Sequence, residues 1–263
     1  MIKRELKVNF KSFLIWTIIL LGIFAVVFSV YPFIMTDESM KSLDEMMKVF
    51  PQELLKAFNM DITSINTAYG WLKSEGFMFV LIIIGIYSST LGLNILLKEE
   101  SDNTVEYLGF LPIKRSNILT NKIIVSIIYI ISMVLILGIF NYIALLISGD
   151  FDQKQYILLS LTPILIALPL FSFNLFISTF LHKTKKTFAL SLGLVFLFYM
   201  LNIISELSEK VEFIKYFSVY TLADIRNVVA NISINPFNVL LSIAITIVFI
   251  IFTYIRYNKK ELV

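Results

Sequence analysis

The chain has 263 residues, 58% of them hydrophobic and only 16% charged, with a mean hydropathy of +0.84 and a formal net charge of +3. Soluble domains carry about a quarter charged residues, so this composition excludes a soluble globular protein, and so small a positive charge makes no case for nucleic acid. There is no cysteine, which removes disulfides, thiolate metal sites and thiol nucleophiles together.

Crossing the hydrocarbon core takes about 20 apolar residues as helix. Six runs qualify: 13–34, 77–97, 123–147, 156–181, 188–204 and 237–255. They predict an all-α polytopic membrane protein, a single transmembrane domain over 1–263. Ahead of the first run, residues 2–11 interleave Leu6, Val8 and Phe10 with Lys3, Arg4, Lys7 and Lys11, the pattern of an amphipathic helix lying in the interface. The first run is too long for a cleavable signal, and Ser29-Val30-Tyr31-Pro32 is a poor cleavage site, so it is expected to stay as the first span.

The connection 35–76 carries Met40, Leu43, Met46, Met47 and Phe50 at helical spacing, then Leu54, Leu55 and Phe58 after Pro51. This predicts two short amphipathic helices on the membrane surface or capping the bundle. Residues 148–155 read as a tight turn around Gly149-Asp150. The fourth run contains Pro163 and Pro169, tolerable in a membrane helix if neighbours satisfy the freed carbonyls. The fifth is short, and 205–236 alternates Leu207, Val211, Ile214, Phe217 and Tyr220 with charged residues, again amphipathic.

Six spans put both termini on one side. That side, with the 2–3 and 4–5 connections, holds fourteen Lys and Arg against six acids, whereas the other holds eight against thirteen. The bias predicts cytoplasmic N- and C-termini. The basic residues stand close to span ends, where anionic lipid head groups account for them.

Catalytic residues are missing. No span contains Asp, Glu, Lys, Arg or His, so intramembrane proteases and ion-coupled carriers lack their working groups. The single histidine, His182, falls in the basic stretch HKTKK and is expected to be solvated. No GxxxxGK[ST] loop exists to hold a nucleotide, so any work must be powered from outside the chain. The expectation is a non-enzyme with no metal and no cofactor of its own. The polar residues in the spans include Ser88, Ser89 and Asn94 on the second, Asn174 on the fourth, and Tyr199 and Asn202 on the fifth. Two readings stand: hydrogen bonding between helices at about 1 kcal/mol each, or the lining of a translocation path.

The connection 98–122, KEESDNTVEYLGFLPIKRSNILTNK, is longer than a reversal needs. Ser101 or Asp102 can cap a helix start, Glu106 adds a favourable charge there, and Val105, Leu108 and Leu111 share a face. Pro112 ends the element, and Lys114-Arg115 supplies a basic stop. A short helix in the membrane plane with one apolar face and an acidic edge is a handle for a soluble partner.

These residues resemble the permease subunits of type-2 ABC transporters (ABC-2). Their loop between spans 2 and 3 commonly reads E-x-x-x-G-T-L-E-x-L-L-x-x-P-[VI]-x-R-x-x-[IL]-x-x-x-K. Glu100, Thr104, Val105, Glu106, Leu108, Pro112, Ile113, Arg115, Ile118 and Lys122 stand where that pattern asks, with Asn103 in place of Gly and Gly109 in place of Leu. The stretch FPQELLKAFNMD before span 2 is also similar to the family's P-x-x-L-L-x-A-F-x-[ILM]-D.

The resemblance implies a half-transporter that pairs with a second permease copy or close relative, with two separate ATPase subunits binding ATP and Mg. It implies a coupling helix over 99–109, with Glu99, Glu100, Asn103, Thr104, Glu106, Tyr107, Leu108, Pro112 and Arg115 as the contact residues. It further implies export of an amphipathic or hydrophobic substrate, a peptide foremost, as in antimicrobial-peptide immunity or phenol-soluble modulin export. The alternative is a sensor or scaffold subunit that kept the fold without transporting. The Ile-, Lys- and Asn-rich composition is consistent with the plasma membrane of a Gram-positive bacterium.

Overall fold

The computed structural model describes residues 1–34, 67–101 and 114–260, together with Thr36, Lys41, Ser42, Glu45 and Val49. Six long helices dominate: α1 (Ile2–Ile34), α2 (Phe77–Ser101), α3 (Arg115–Ser148), α4 (Gln153–Ser178), α5 (Thr187–Leu207) and α6 (Pro236–Tyr257). Each is long and apolar enough to cross a membrane. No strand occurs among the described residues.

Several boundaries differ from the sequence expectation, for local reasons. The helix expected over 2–11 forms and runs without a break into the first span, because no Gly or Pro interrupts the stretch, and Glu5 and Leu6 find partners inside the bundle. The helix Ala68–Trp71 and a π-helical turn Leu72–Gly76 lead without a break into α2, so the end of the 35–76 connection belongs to the bundle. The two amphipathic helices expected earlier in that connection fall mostly outside the described residues. The third span starts at Arg115, which draws Lys122 into a helix. The fifth is no longer short, reaching 21 residues.

Helices α2 and α4 form the centre. In their most apolar stretches 72% and 61% of residues are buried, against 17% for α1 and α6 and 22% for α5. Close approach is allowed by a seam of small residues on α2. A Cβ at Gly92 would overlap the Phe171 carbonyl of α4, and one at Gly85 would meet the Tyr220 hydroxyl. Between them Ser88 and Ser89 are fully buried. Small residues are what let membrane helices touch backbone to backbone. Outside this pair, α1 lies on α3, α5 on α2, and α6 on α4. The outward faces stay apolar, as Ile18, Val26, Ile139, Leu240 and Ile247 show. Such faces suit lipid.

The prolines of α4 are accommodated as a membrane helix requires. Pro163 and Pro169 deprive the carbonyls of Leu159 and Leu165 of their helical donors. The Thr162 hydroxyl donates to the first at 2.8 Å, and the Ser242 hydroxyl of α6 to the second at 2.8 Å. No buried carbonyl is orphaned at either proline, and the second repair fastens α6 to the central helix.

Between α5 and α6 the chain makes 3₁₀ turns at Glu209–Phe217 and Val219–Ala223 and a short helix Ile225–Asn231. Ser218 caps the second turn and Asp224 the helix. The helix ends on Ile232, whose φ of 47° is left-handed.

Candidate functional site

The start of α1 and the stretch after α6 up to Lys260 reach the same end of the bundle, and buried charge concentrates there. Consecutive helical residues point about 100° apart, so Glu99 and Glu100, in the last turn of α2, face different neighbours. Glu99 Oε1 lies 3.0 Å from Lys122 Nζ of α3 and 4.0 Å from the Arg4 guanidinium of α1. Lys122 also donates to Glu5 Oε2 at 3.2 Å and to the Ile95 carbonyl at 2.9 Å. Glu100 Oε1 accepts from Lys260 Nζ at 2.6 Å, and its Oε2 is 3.2 Å from His182 Nδ1. Lys260 donates in addition to the Leu181 carbonyl at 2.6 Å, while its own carbonyl accepts from Arg115 at 2.9 Å.

These charges are buried: Glu5 is 3% exposed, Lys122 2%, Glu100 5% and Lys260 7%. Taking an ion out of water costs several kcal/mol unless it is paired and its remaining hydrogen-bonding capacity is met. Here each lysine has carboxylate and carbonyl acceptors, so the condition is satisfied. Neutral bonds extend the cluster. Tyr129 Oη donates to the Leu6 carbonyl at 2.5 Å, the Ser101 and Thr184 hydroxyls are 3.0 Å apart, and the Thr120 and Tyr254 hydroxyls are 2.6 Å apart. The end of α2 is thus tied to α1, α3, the 179–186 connection and the C-terminal tail. It directly precedes residues 102–113.

This position corrects part of the sequence reading. Glu99 and Glu100 do not sit on an exposed acidic edge of a coupling helix; they close the second span and are engaged inside the bundle. Arg115 opens α3 and holds the tail. Asn103, Thr104, Glu106, Tyr107, Leu108 and Pro112 lie outside the described residues. His182 is half exposed, as a loop residue should be, yet it is paired rather than merely solvated. Sequence reasoning placed Lys122 in a motif without giving it a partner, and it missed Glu5 and Lys260 altogether. The available signal was the lone acid inside the basic start KREL. Its partner is 117 positions away in the chain.

The polar residues considered for a translocation path divide into two groups. Ser88, Ser89 and Asn174 are fully buried between α2 and α4, with Asn174 Nδ2 donating to Ser89 Oγ at 3.1 Å and to the Leu170 carbonyl at 2.8 Å. Asn94 accepts from the Thr187 hydroxyl at 2.7 Å, fixing the start of α5. Ser89, Asn174 and Asn94 join helices, whereas Ser88 donates to the Gly85 carbonyl of its own helix. Tyr199 and Asn202 are elsewhere: they line a cavity of about 1210 Å³ at the opposite end. Its floor is α2 and α4, its sides α5 and α6, and its cover the 205–236 connection.

That opposite end is held by aromatic packing and neutral hydrogen bonds. Tyr69 donates to Gln155 Oε1 at 2.6 Å, and Gln155 Nε2 to the Val229 carbonyl at 2.8 Å. Burial, and then the Asp152 charge, raise the Tyr69 phenol above its ordinary value, which keeps it a donor. Phe151 meets Tyr142 and Tyr156 edge-on. Tyr220 packs its hydroxyl on Gly85 and its ring edge-on against Tyr199. Burial raises its phenol as well.

A family model described as ABC-2 family transporter protein matches residues 1–262. No curated protein and no solved structure matches the chain.

Proposed function

The chain belongs to the ABC-2 family of transporter proteins and is a multi-pass membrane permease of that family; from this premise we propose that it is the membrane subunit of an ATP-driven exporter. Two separate ATPase subunits bind ATP and Mg and dock on the end that carries both termini, which faces the cytoplasm. The transmembrane domain pairs with a second permease copy or a close relative. The cargo is an amphipathic or hydrophobic molecule, a peptide foremost, moved out of a bacterial cell. The spans, apolar and uncharged away from their ends, suit such a cargo and do not suit a large hydrophilic polymer.

One observation carries the coupling step. The last turn of α2 is bonded through two buried carboxylates to α1, α3, the 179–186 connection and the tail. A load applied to residues 102–113 enters the bundle at that turn and is shared by every element fastened to it. Residues Tyr107 and Leu108 supply the apolar grip, each worth about 1.5–3 kcal/mol when buried in a partner cleft.

The test is co-expression with candidate ATP-binding-cassette ATPases from the same genome, followed by co-purification. Tyr107→Asp with Leu108→Asp is expected to abolish capture of the ATPase while membrane insertion stays intact. Normal capture and export by the double variant would overturn the coupling role. Failure of the parent chain to bind any ATPase would favour the sensor or scaffold reading.

A further inference from the structure

The cavity between α5 and α6 has a chemistry of its own. At about 1210 Å³ it exceeds the roughly 300–1,000 Å³ of common small-molecule sites. Part of its lining is aromatic. Phe173 of α4 meets Phe198 of α5 and Phe249 of α6 edge-on, with ring centroids 5.7 Å and 5.0 Å apart, so three helices present one continuous ring surface. Tyr199, Tyr216 and Phe237 extend the aromatic wall.

The charged groups of the lining are Glu206, Glu212, Asp224, Lys215 and Arg226. Four of them cancel: Arg226 pairs with Glu206, and Lys215 with Glu212 at 2.5 Å. Asp224 is left. Its Oδ1 accepts the Asn227 amide at 3.1 Å, and no basic residue among those described forms an ion pair with it. The lining therefore combines a hydrophobic ring surface with one net negative charge. Ring faces and a carboxylate both attract a cation whose charge is spread over an apolar body, and both repel the matching anion.

We infer that this cavity, within a single permease chain, is a binding site for lipophilic monocations, with the apolar body against Phe173, Phe198 and Phe249 and the charge beside Asp224. The inference deepens the exporter reading by naming a cargo class and its seat, and it rests on that reading only for the direction of movement. Binding itself needs no ATPase.

The experiment uses the full chain in lipid nanodiscs with radiolabelled tetraphenylphosphonium, and tetraphenylborate as the anion of the same shape. Saturable binding of the cation above empty nanodiscs is expected, with no competition by the anion. Phe249→Ala is expected to weaken binding about tenfold through lost ring contact. Asp224→Asn keeps the helix cap, because Asn caps as well as Asp, and removes only the charge; it is expected to weaken binding about threefold. Absence of saturable binding, equal binding of tetraphenylborate, or parental affinity in both variants would each overturn the site. If ATPase capture persists in that event, the exporter reading stands and the cavity assignment alone is lost. If binding holds where no ATPase is captured, the cavity stands and the exporter reading is lost.

Discussion

The two ends of the bundle use the same side chains in opposite ways. At the end bearing the termini, Glu5, Glu99, Glu100, Lys122 and Lys260 are nearly inaccessible, and each cation is shared between a carboxylate and a backbone carbonyl. At the cavity end, Arg226 and Glu206 are paired with side chains 46% and 31% exposed. Buried pairs contribute little net stability when intact but cost much when broken, whereas exposed ones are worth little either way. The first end is therefore built to be rigid and intolerant of single changes. The second is held by rings, neutral hydrogen bonds and partly exposed ion pairs, and it leaves Asp224 without a basic partner among the described residues. An exporter of the kind proposed, coupled at one end and loaded at the other, would need that division.

The largest expected effect breaks the buried cluster. Lys122→Ala leaves buried Glu5 without a cation and Glu99 with only the half-exposed Arg4 guanidinium at 4.0 Å, which is expected to cost about 3–5 kcal/mol. The fall in thermal unfolding midpoint in detergent measures it. Replacing all three, as Lys122→Met with Glu5→Gln and Glu99→Gln, is expected to recover most of the loss, because no charge is then left stranded. A triple variant as unstable as the single one would show that the lysine acts by packing and not by charge.

A smaller effect sharpens the comparison at the centre, where the two ends are joined. Gly92→Ala drives a methyl into the Phe171 carbonyl, a backbone atom that cannot turn aside. The cost is expected at about 1–3 kcal/mol. Gly193→Ala on α5 is the control, since nothing lies within 4 Å of the added carbon; there helix propensity favours alanine by about 1 kcal/mol. Equal destabilisation by both would remove the α2–α4 seam as the spine of the fold.

Much of this architecture is legible in the chain. Six apolar runs without a charge announce six spans, since an unpaired ion in hydrocarbon is prohibitive. The repair of Pro163 and Pro169 was foreseeable in kind, because a freed carbonyl must find a donor, though which neighbour supplies Ser242 depends on tertiary packing. The site was less legible. Glu99 and Glu100 look like an exposed acidic edge from their neighbours in sequence. Their partners Arg4, Lys122, His182 and Lys260 come from four other segments, and nothing in local periodicity connects them. Likewise Ser88, Ser89 and Asn174 share a composition with a polar path but share a location with the tightest helix contact. The cavity, formed by α5, α6 and the turns between them, has no signature beyond an excess of aromatic residues.

The smallest expected effect is the one that defines the contrast. Glu206 closes α5 and pairs with Arg226 of the short helix Ile225–Asn231, so the pair pins the cavity cover to a span. Both side chains are partly in water, and an exposed pair of this kind contributes about 0–1 kcal/mol. Glu206→Gln is therefore expected to move the unfolding midpoint little. In salt near 1 M, where the screening length is about 3 Å, the parent and the variant should become indistinguishable. The defect of Lys122→Ala should persist in the same salt, because ions do not reach a cluster so deeply buried. If Glu206→Gln proves as damaging as Lys122→Ala, or if salt rescues the lysine variant, the two ends are not different kinds of structure, and the division between a rigid coupling end and an accessible binding end fails.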